Sequence, residues 1–349
     1  MSKNLTIVDI AKSAGVSKTT VSRYLNGQYE YMSEQTRERI KKVIEVSGYQ
    51  PNKLAQSLKN QKSMLVGFVV ADIESPFTSA AIKSVGDAML GTGYNLVTAN
   101  SDNSYERELE NIQSLIGQQV DGLIVNTVTS SNPRLIGLAN GGLPVVLLDR
   151  FVKDYNFDIA YFENTKSIHD AIEHLHEEGY RHLAYFTQEY EFVSPRSLRR
   201  KAFLEKLAEM GVEHPEQYAF SAENKTEKIE ANLRRLLDIC KGEPPAVICS
   251  NSVTLMRTVK AIRNLGLRMP HEIGLCGFDE WGWASELDWA SIVDVGLTTI
   301  LPSVHELGAQ TVNLLFRRIQ QPESEKKEIA IPGKLIVRDS TRLSKKGAL

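Results

Sequence analysis

The spacing of apolar residues changes near residue 64. Before that point they recur three and four apart: Ile7, Ile10 and Ala11, then Val21 and Leu25, then Ile40, Val43 and Ile44. This is the period of helices that each bury one stripe. A hydroxyl residue able to cap a helix precedes each stripe: Thr6, with Asp9 three residues on as in a capping box, then Ser17, then Ser33. Ala14-Gly15, Asn26-Gly27 and Gly48 end the three segments, a loop through Tyr31 joins the second to the third, and Pro51 bars continuation of the last. Residues 52–61, "NKLAQSLKNQ", read as one more short helix, marginal alone because it is under about 12 residues.

From Met64 onward the apolar residues gather into short continuous runs: "MLVGFVVAD", "YNLVTANSD", "VDGLIVNTV", "LPVVLLDR", "IAYFENT", "HLAYFTQ", "AVICSN" and "IGLCGFD". Helical patterns separate most of them, and alternating strand and helix predicts parallel sheets covered on both faces. Some eight such units exceed what one compact sheet needs. Two doubly wound lobes are therefore expected, with a ligand cleft at the strand C-terminal ends.

Charge divides at the same place. Residues 1–62 hold 11 Lys/Arg and 5 Asp/Glu, a net of +6, while the remaining residues hold 30 and 38, a net of −8. A basic head on an acidic body suits a polyanion partner for the head. Helix, Gly-containing turn and helix form the layout of a helix-turn-helix, whose second helix enters the major groove with its first turn facing the bases. That makes Lys18, Thr19 and Arg23 the expected base readers, Arg23 being able to give two parallel hydrogen bonds to guanine O6 and N7. Ser17, Thr20, Ser22 and Asn26 suit phosphate oxygens, helped by the partial positive charge of the helix N-terminus.

"TIVDIAKSAGVSKTTVSRYLNG" followed by "TRERIKKVIEVSGYQPNKLAQSLKNQKS" strongly resembles the DNA-binding headpiece of the lactose-repressor (LacI/GalR) family. The resemblance implies a headpiece over residues 1–50 and a hinge helix and linker over 51–62. It also implies that Leu58, with Ala55 beside it, wedges into the minor groove at a dimer axis, where apolar wedges kink DNA. Thr6, Thr36 and Asn52 complete the expected DNA contacts. Tyr24 departs from the family, which more often has Val there.

The resemblance continues through "DGLIV", "PVVLLDR", "GYRHLAYF" and "GFDEW", and implies a two-lobed periplasmic-binding-protein-like core over 63–342. It places the N-lobe at about 63–161 and 292–322, and the C-lobe at about 162–291 and 323–342. Its effector residues carry over as Asp72, Phe77, Asp149, Arg150, Arg199, Asn251 and Asp279. Arg196 stands one position from a further family contact, which Ser197 occupies. Thr78 replaces a second aromatic, which disfavours a flat purine-type ligand, and Trp281, with Trp283, could form an apolar wall. Asp and Asn suit sugar hydroxyls, an aromatic face suits the C–H side of a sugar ring, and Arg suits a carboxylate. The dense run Arg196, Arg199, Arg200, Lys201 therefore suggests an acidic sugar or sugar-derived acid; a solvated helix start and a neutral sugar are the alternative. "VSRYLNG" with "GFDEWGWAS" is similar to the branch that contains 2-keto-3-deoxygluconate repressors.

The expected protein is thus a sequence-specific transcriptional regulator, a repressor of carbohydrate or sugar-acid catabolism genes. It would be a homodimer that reads a palindromic operator and answers to a small effector. A transport-type sugar-binding protein or an enzyme on the same α/β fold is the alternative. Against an enzyme, no GxSxG, P-loop, strand-linked GxGxxG or HExxH motif is present, and no cofactor is expected. His169, His174, His176 and His182 lack metal spacing with Cys or carboxylate. Three cysteines without CxxC spacing suit buried free thiols. No apolar run reaches the roughly 18 residues of a membrane span, and the N-terminal stretch lacks the apolar core of a secretory signal, so a cytoplasmic location is expected.

Overall fold

The computed structural model describes residues 5–49, 62–188, 193–222, 225–280, 289–293 and 295–343. The expected hinge contacts Asn52, Ala55 and Leu58, and the expected cleft residue Trp281, lie outside these residues. The chain divides into two units, Met1–Ser63 and Met64–Leu349. No helix among the described residues is long and apolar enough to cross a membrane.

The first unit contains α1 (Ile7–Ala14), α2 (Lys18–Leu25) and α3 (Glu34–Ser47). Each begins where a hydroxyl captures a backbone amide. Thr6 Oγ1 accepts from the Asp9 N–H at 3.4 Å while Asp9 Oδ2 accepts from the Thr6 N–H at 2.8 Å, a complete capping box. Ser17 Oγ accepts from Thr20 N–H at 3.0 Å, and Ser33 Oγ from Thr36 N–H at 3.2 Å. Gly15 and Gly48 end α1 and α3 in the left-handed region, where a Cβ is disfavoured. The loop between α2 and α3 holds a single 3₁₀ turn, Tyr29–Tyr31. Ile10, Ala11, Val21 and Tyr49 form the buried centre, with Ile7, Val16, Leu25, Val43 and Ile44 packed around it.

The second unit holds two six-stranded sheets. The first is built from β1 (Leu65–Val70), β2 (Asn95–Asn100), β3 (Gly122–Val125), β4 (Val145–Leu148), β5 (Asp158–Phe162) and β11 (Glu328–Ile331). Its order is β11-β5-β4-β3-β1-β2, and every pair is parallel. Along β1 and β4 successive residues point to opposite faces. Phe68, Val70, Val146 and Leu148 face the layer that contains α4 (Pro76–Ala88) and α11 (Val304–Gln320), while Val69, Val145 and Leu147 face the layer of α5 (Tyr105–Gly117) and α6 (Pro133–Asn140). Both faces are covered, which is why these strands read as unbroken apolar runs.

The second sheet comprises β6 (Leu183–Thr187), β7 (Ala219–Ser221), β8 (Ala246–Cys249), β9 (Gly274–Phe278), β10 (Thr298–Pro302) and β12 (Gly333–Ile336). Its order is β12-β10-β9-β8-β6-β7, with β12 antiparallel at one edge. Around it lie α7 (Asn164–Glu177), α8 (Ser194–Glu209), α9 (Thr226–Cys240) and α10 (Ser252–Asn264). Cys240, Cys249 and Cys276 are free and buried.

The chain passes between sheets three times: after β5, after β10, and at Pro332 between β11 and β12. The second and third passages fall later than the expected lobe boundaries at 292 and 323. β10 pairs with β9 in the second sheet, and β11 pairs with β5 in the first. These short strands carry no local mark of which sheet they join, so pairing alone decides their lobe.

Asp158, fully buried, ties the first sheet together. It accepts from Arg318 Nε at 2.8 Å, from the Lys327 N–H at 2.9 Å and from Arg317 Nη2, so one carboxylate links β5, α11 and the approach to β11. Asp158→Ala would leave the buried Arg318 guanidinium, which keeps only backbone carbonyl acceptors, without its carboxylate partner and the Lys327 amide without its acceptor. Breaking a buried pair in this way costs about 3–5 kcal/mol, to be read as a lowered urea midpoint at unchanged m-value.

Candidate functional site

On the headpiece, Ser17, Lys18, Thr19, Arg23 and Asn26 are exposed along α2, and Thr20 and Ser22 are half-buried. Val21, fully buried, fixes the opposite face. Four of the expected DNA-contacting hydroxyls already serve the fold: Thr6 in the capping box, Ser17 and Thr20 through a 2.9 Å hydroxyl contact, and Thr36 likewise with Ser33. A hydroxyl has one donor and two acceptor sites, so capping holds each oxygen in place and leaves further hydrogen-bonding capacity.

In the core, a cavity of about 370 Å³ lies where strands of both sheets end. Asp72 follows β1, Asp149 and Arg150 follow β4, Asn251 follows β8 and Asp279 follows β9; Phe77 comes from the first turn of α4, and Arg196 and Arg199 from the first turns of α8. Of the ten expected effector residues, these eight line it. Thr78 does not: one residue past Phe77 the helix has turned by about 100°, and Thr78 is buried away from the cavity. Phe77 meets Phe162 edge to face, with centroids 6.0 Å apart. Ser197 is also turned away, donating to the Ser194 carbonyl at 3.0 Å, while Arg196 lines the wall.

Asp149 and Asp279 hold equivalent places in the two sheets. Each follows a strand with positive φ, 65° and 75° respectively. The Asp149 N–H donates to the Ala160 carbonyl at 2.8 Å and the Asp279 N–H to the Ile300 carbonyl at 3.1 Å. Pairing to the neighbouring strand thus holds a backbone conformation that a non-glycine residue adopts at a cost of about 1–3 kcal/mol, and such strain gathers at ligand sites. Both side chains are buried, and Asp149 Oδ1 has no hydrogen-bond partner among the described residues.

Arg199 is clamped by its own lobe. Nε donates to Asn164 Oδ1 at 2.7 Å, Nη1 to the Ser250 carbonyl, and the guanidinium lies 3.8 Å from the Phe278 ring centroid. Arg150 Nη1 donates to the Thr127 carbonyl at 3.0 Å, and the Thr127 hydroxyl donates to the buried Glu108 at 2.9 Å. Burial pushes the Arg196 guanidinium down to about 10, with the neighbouring Arg150 charge adding to it. Burial raises the Asp149 carboxyl, opposed by Arg199 and Arg150. It raises the Asp279 carboxyl to about 7, opposed by Arg199 and reinforced by Asp149.

Sequence reasoning missed several lining residues, among them Asn103, Phe162, Gln188, Ser250 and Arg257. Asn103 orients Asp72, donating to its Oδ2 at 3.0 Å. Gln188 and Ser250 could have been found from position alone, since each follows a strand C-terminus. Arg257 sits one turn beyond Val253 on α10 and has no such local signal. The cavity therefore carries four arginines (150, 196, 199, 257) and four carboxylates (72, 74, 149, 279). Two of the four clustered histidines have other partners, His174 Nε2 meeting Thr341 Oγ1 at 2.8 Å and His182 pairing with Glu243, while the buried His169 Nε2 has no hydrogen-bond partner among the described residues. Among the described residues no group of three or more His, Cys, Asp or Glu side chains is placed to hold a metal ion.

A helix-turn-helix on one unit and a charged cleft between the sheets of the other suit a ligand-responsive DNA-binding regulator. Comparison with known proteins agrees. Residues 6–52 match the model for bacterial regulatory proteins of the lacI family, and 172–341 match the periplasmic binding protein-like domain. The chain is 32% identical over 335 residues to the HTH-type transcriptional regulator KdgR of Bacillus subtilis, covering 96% of this chain and 97% of that protein. It is 32% identical over 337 residues to the HTH-type transcriptional regulator PtxS of Pseudomonas plecoglossicida, covering 97% and 96%. The fold also matches a lac repressor dimer bound to operator and the anti-inducer ONPF, with TM-score 0.84 and 23% identity over 97% of this chain and 99% of that one. The transcriptional regulator CelR in complex with cellobiose matches with TM-score 0.69 and 25% identity, over 96% and 99%. The chain belongs to the lacI family. It is a DNA-binding transcriptional regulator with a small-molecule effector core, and its relatives are regulators rather than enzymes.

Folded Asp279 keeps its proton up to about 7, whereas an unfolded Asp releases it near 3.9. The folded state therefore binds more protons between these values, and the stability this group contributes, full below about pH 4, is lost as pH rises through 7. Urea unfolding of ligand-free protein should show this fall between about pH 4 and 7, and Asp279→Asn should flatten it. An unchanged slope in the variant would assign the titration to another group.

Proposed function

We propose that the protein is a cytoplasmic homodimeric repressor of carbohydrate or sugar-acid catabolism genes. Two headpieces read a palindromic operator, and an acidic sugar or sugar-derived acid in the cleft controls binding. Lys18, Thr19 and Arg23 read base edges, Ser17, Thr20, Ser22 and Asn26 hold phosphates, and Thr6 and Thr36 complete the headpiece contacts to DNA. Asn52, Ala55 and Leu58, outside the described residues, belong to the hinge by family resemblance, with Leu58 as the minor-groove wedge.

The observation that carries the effector class is the balance of the cavity wall, four arginines with four carboxylates. Carboxylates and Asn251 suit the hydroxyls of a polyol chain. Guanidiniums in excess of what a neutral sugar needs suit a carboxylate, which Arg can grip through two parallel bonds. Phe77 and Phe162 supply an apolar face for C–H groups. The resemblance to KdgR, a transcriptional regulator, over nearly the whole chain supports the regulatory role. Effector and operator then act on one equilibrium, so the factor by which effector changes operator affinity equals the factor by which operator changes effector affinity.

Isothermal titration with 2-keto-3-deoxygluconate, gluconate, ribose and glucose tests the class. Heat is expected from an acid, and Arg196→Leu should weaken that binding about tenfold or more, the scale of a hydrogen bond to a charged group. Binding of a neutral sugar with none of the acids would refute the acidic effector.

A further inference from the structure

Outside the apolar core of the headpiece lies a cluster of tyrosines and arginines. The Arg23 guanidinium carbon is 5.0 Å from the centroid of the Tyr31 ring. Tyr24, next along α2, meets Tyr29 edge-on with centroids 5.6 Å apart and planes at 61°. Arg37, from α3, lies 4.0 Å from the Tyr29 centroid. The chain reverses after α2 at Gly27, where φ is 73°, and the Gln28 N–H donates back to the Arg23 carbonyl at 3.0 Å. The 3₁₀ turn Tyr29–Tyr31 is thereby folded against the last turn of α2. Tyr31 is 62% exposed, so hydrophobic burial does not explain where its ring sits.

We propose that Tyr31 is a positioning residue for operator reading: its ring holds the Arg23 guanidinium ready before DNA arrives, and the Tyr24–Tyr29–Arg37 cluster holds the turn that carries Tyr31. The inference rests on Arg23 being a base contact. A long arginine side chain surrenders much rotamer freedom when it docks on a base edge. A ring within about 6 Å attracts the cation and restricts it beforehand. A cation held over a ring by its charge spends no acceptor-directed hydrogen bond on that contact, so its N–H donors remain available for guanine O6 and N7. Both contacts can therefore exist together. Tyr24, where the family more often has Val, acquires a reason: a valine has no ring to meet Tyr29.

Full-length protein would be used to select duplexes from a library randomised over one operator length, with sequencing as the readout of preference at each base pair. The variants are Arg23→Ala, Tyr31→Leu, Tyr31→Phe and the Arg23→Ala/Tyr31→Leu double. Arg23→Ala should erase preference at one position per half-site. Tyr31→Leu should weaken preference at that same position by about two- to fivefold, the scale of an exposed cation–π contact. Tyr31→Phe, which keeps the ring, should retain it, and Tyr31→Leu should add nothing once Arg23 is gone. An unchanged position in Tyr31→Leu, with Arg23→Ala still erasing it, overturns the positioning role alone. Equal weakening at all positions, in both backgrounds, overturns it by making Tyr31 a contact in its own right. If Arg23→Ala erases no position, both the base-reading role and the inference fall. Circular dichroism melting of each variant checks that the headpiece remains folded.

Discussion

Arg199 faces two carboxylates that arise from different sheets. Asp149 belongs to the end of β4 in the first, Asp279 to the end of β9 in the second, and the Arg199 charge offsets the burial of both. Desolvated carboxylates close to one another resist ionisation together, so the cleft can hold this pair because a fixed cation stands beside it. Fixing that cation takes three contacts from the second lobe: Asn164, the Ser250 carbonyl and the Phe278 ring. The guanidinium thus has little freedom to leave, and its remaining donor capacity faces a cavity built to receive a polar ligand.

The parallel sheets supply the rest of that geometry. Every parallel strand ends at the same edge of its sheet, and residues just past those ends need no place in the layered core. The polar groups of the cleft are placed there, from Asp72 on the first sheet to Asn251 on the second. The two strained aspartates repeat one arrangement in both sheets: positive φ after a strand, with the amide paired to the next strand. Beneath them the apolar layers and the Asp158 network on β5 and α11 hold the first sheet to its helices.

The headpiece solves a different problem with the same economy of residues. Its first two helices have only eight residues each, too short to persist without help. Capping hydroxyls and one small apolar centre provide it. The hydroxyls that start the helices, Thr6, Ser17 and Ser33, are exposed, so stabilising the helix and presenting polar groups at the surface are one act.

Much of this was legible along the chain. The helix starts at Thr6, Ser17 and Ser33 follow from local chemistry, because a cap and its helix are within three residues of one another. The eight apolar runs became strands, because residues buried on both faces of a parallel sheet must be apolar throughout. The split of charge marked the two units. What was not legible depended on distant pairing. "TTILP" and "EIAIPGKLI" were passed over, and their three strands fall in different sheets because of their partners β9, β5 and β10. Thr78, at an expected cleft position by resemblance, lies inside, since a helix turns each successive residue to a new direction. Arg257 enters the cavity from a helix whose sequence gives no sign of it. Period and capping are properties of neighbouring residues, and the sequence alone determined them. Sheet membership, the clamp on Arg199 and the placing of Arg23 over the Tyr31 ring join residues from separate elements, and only the tertiary structure decided those.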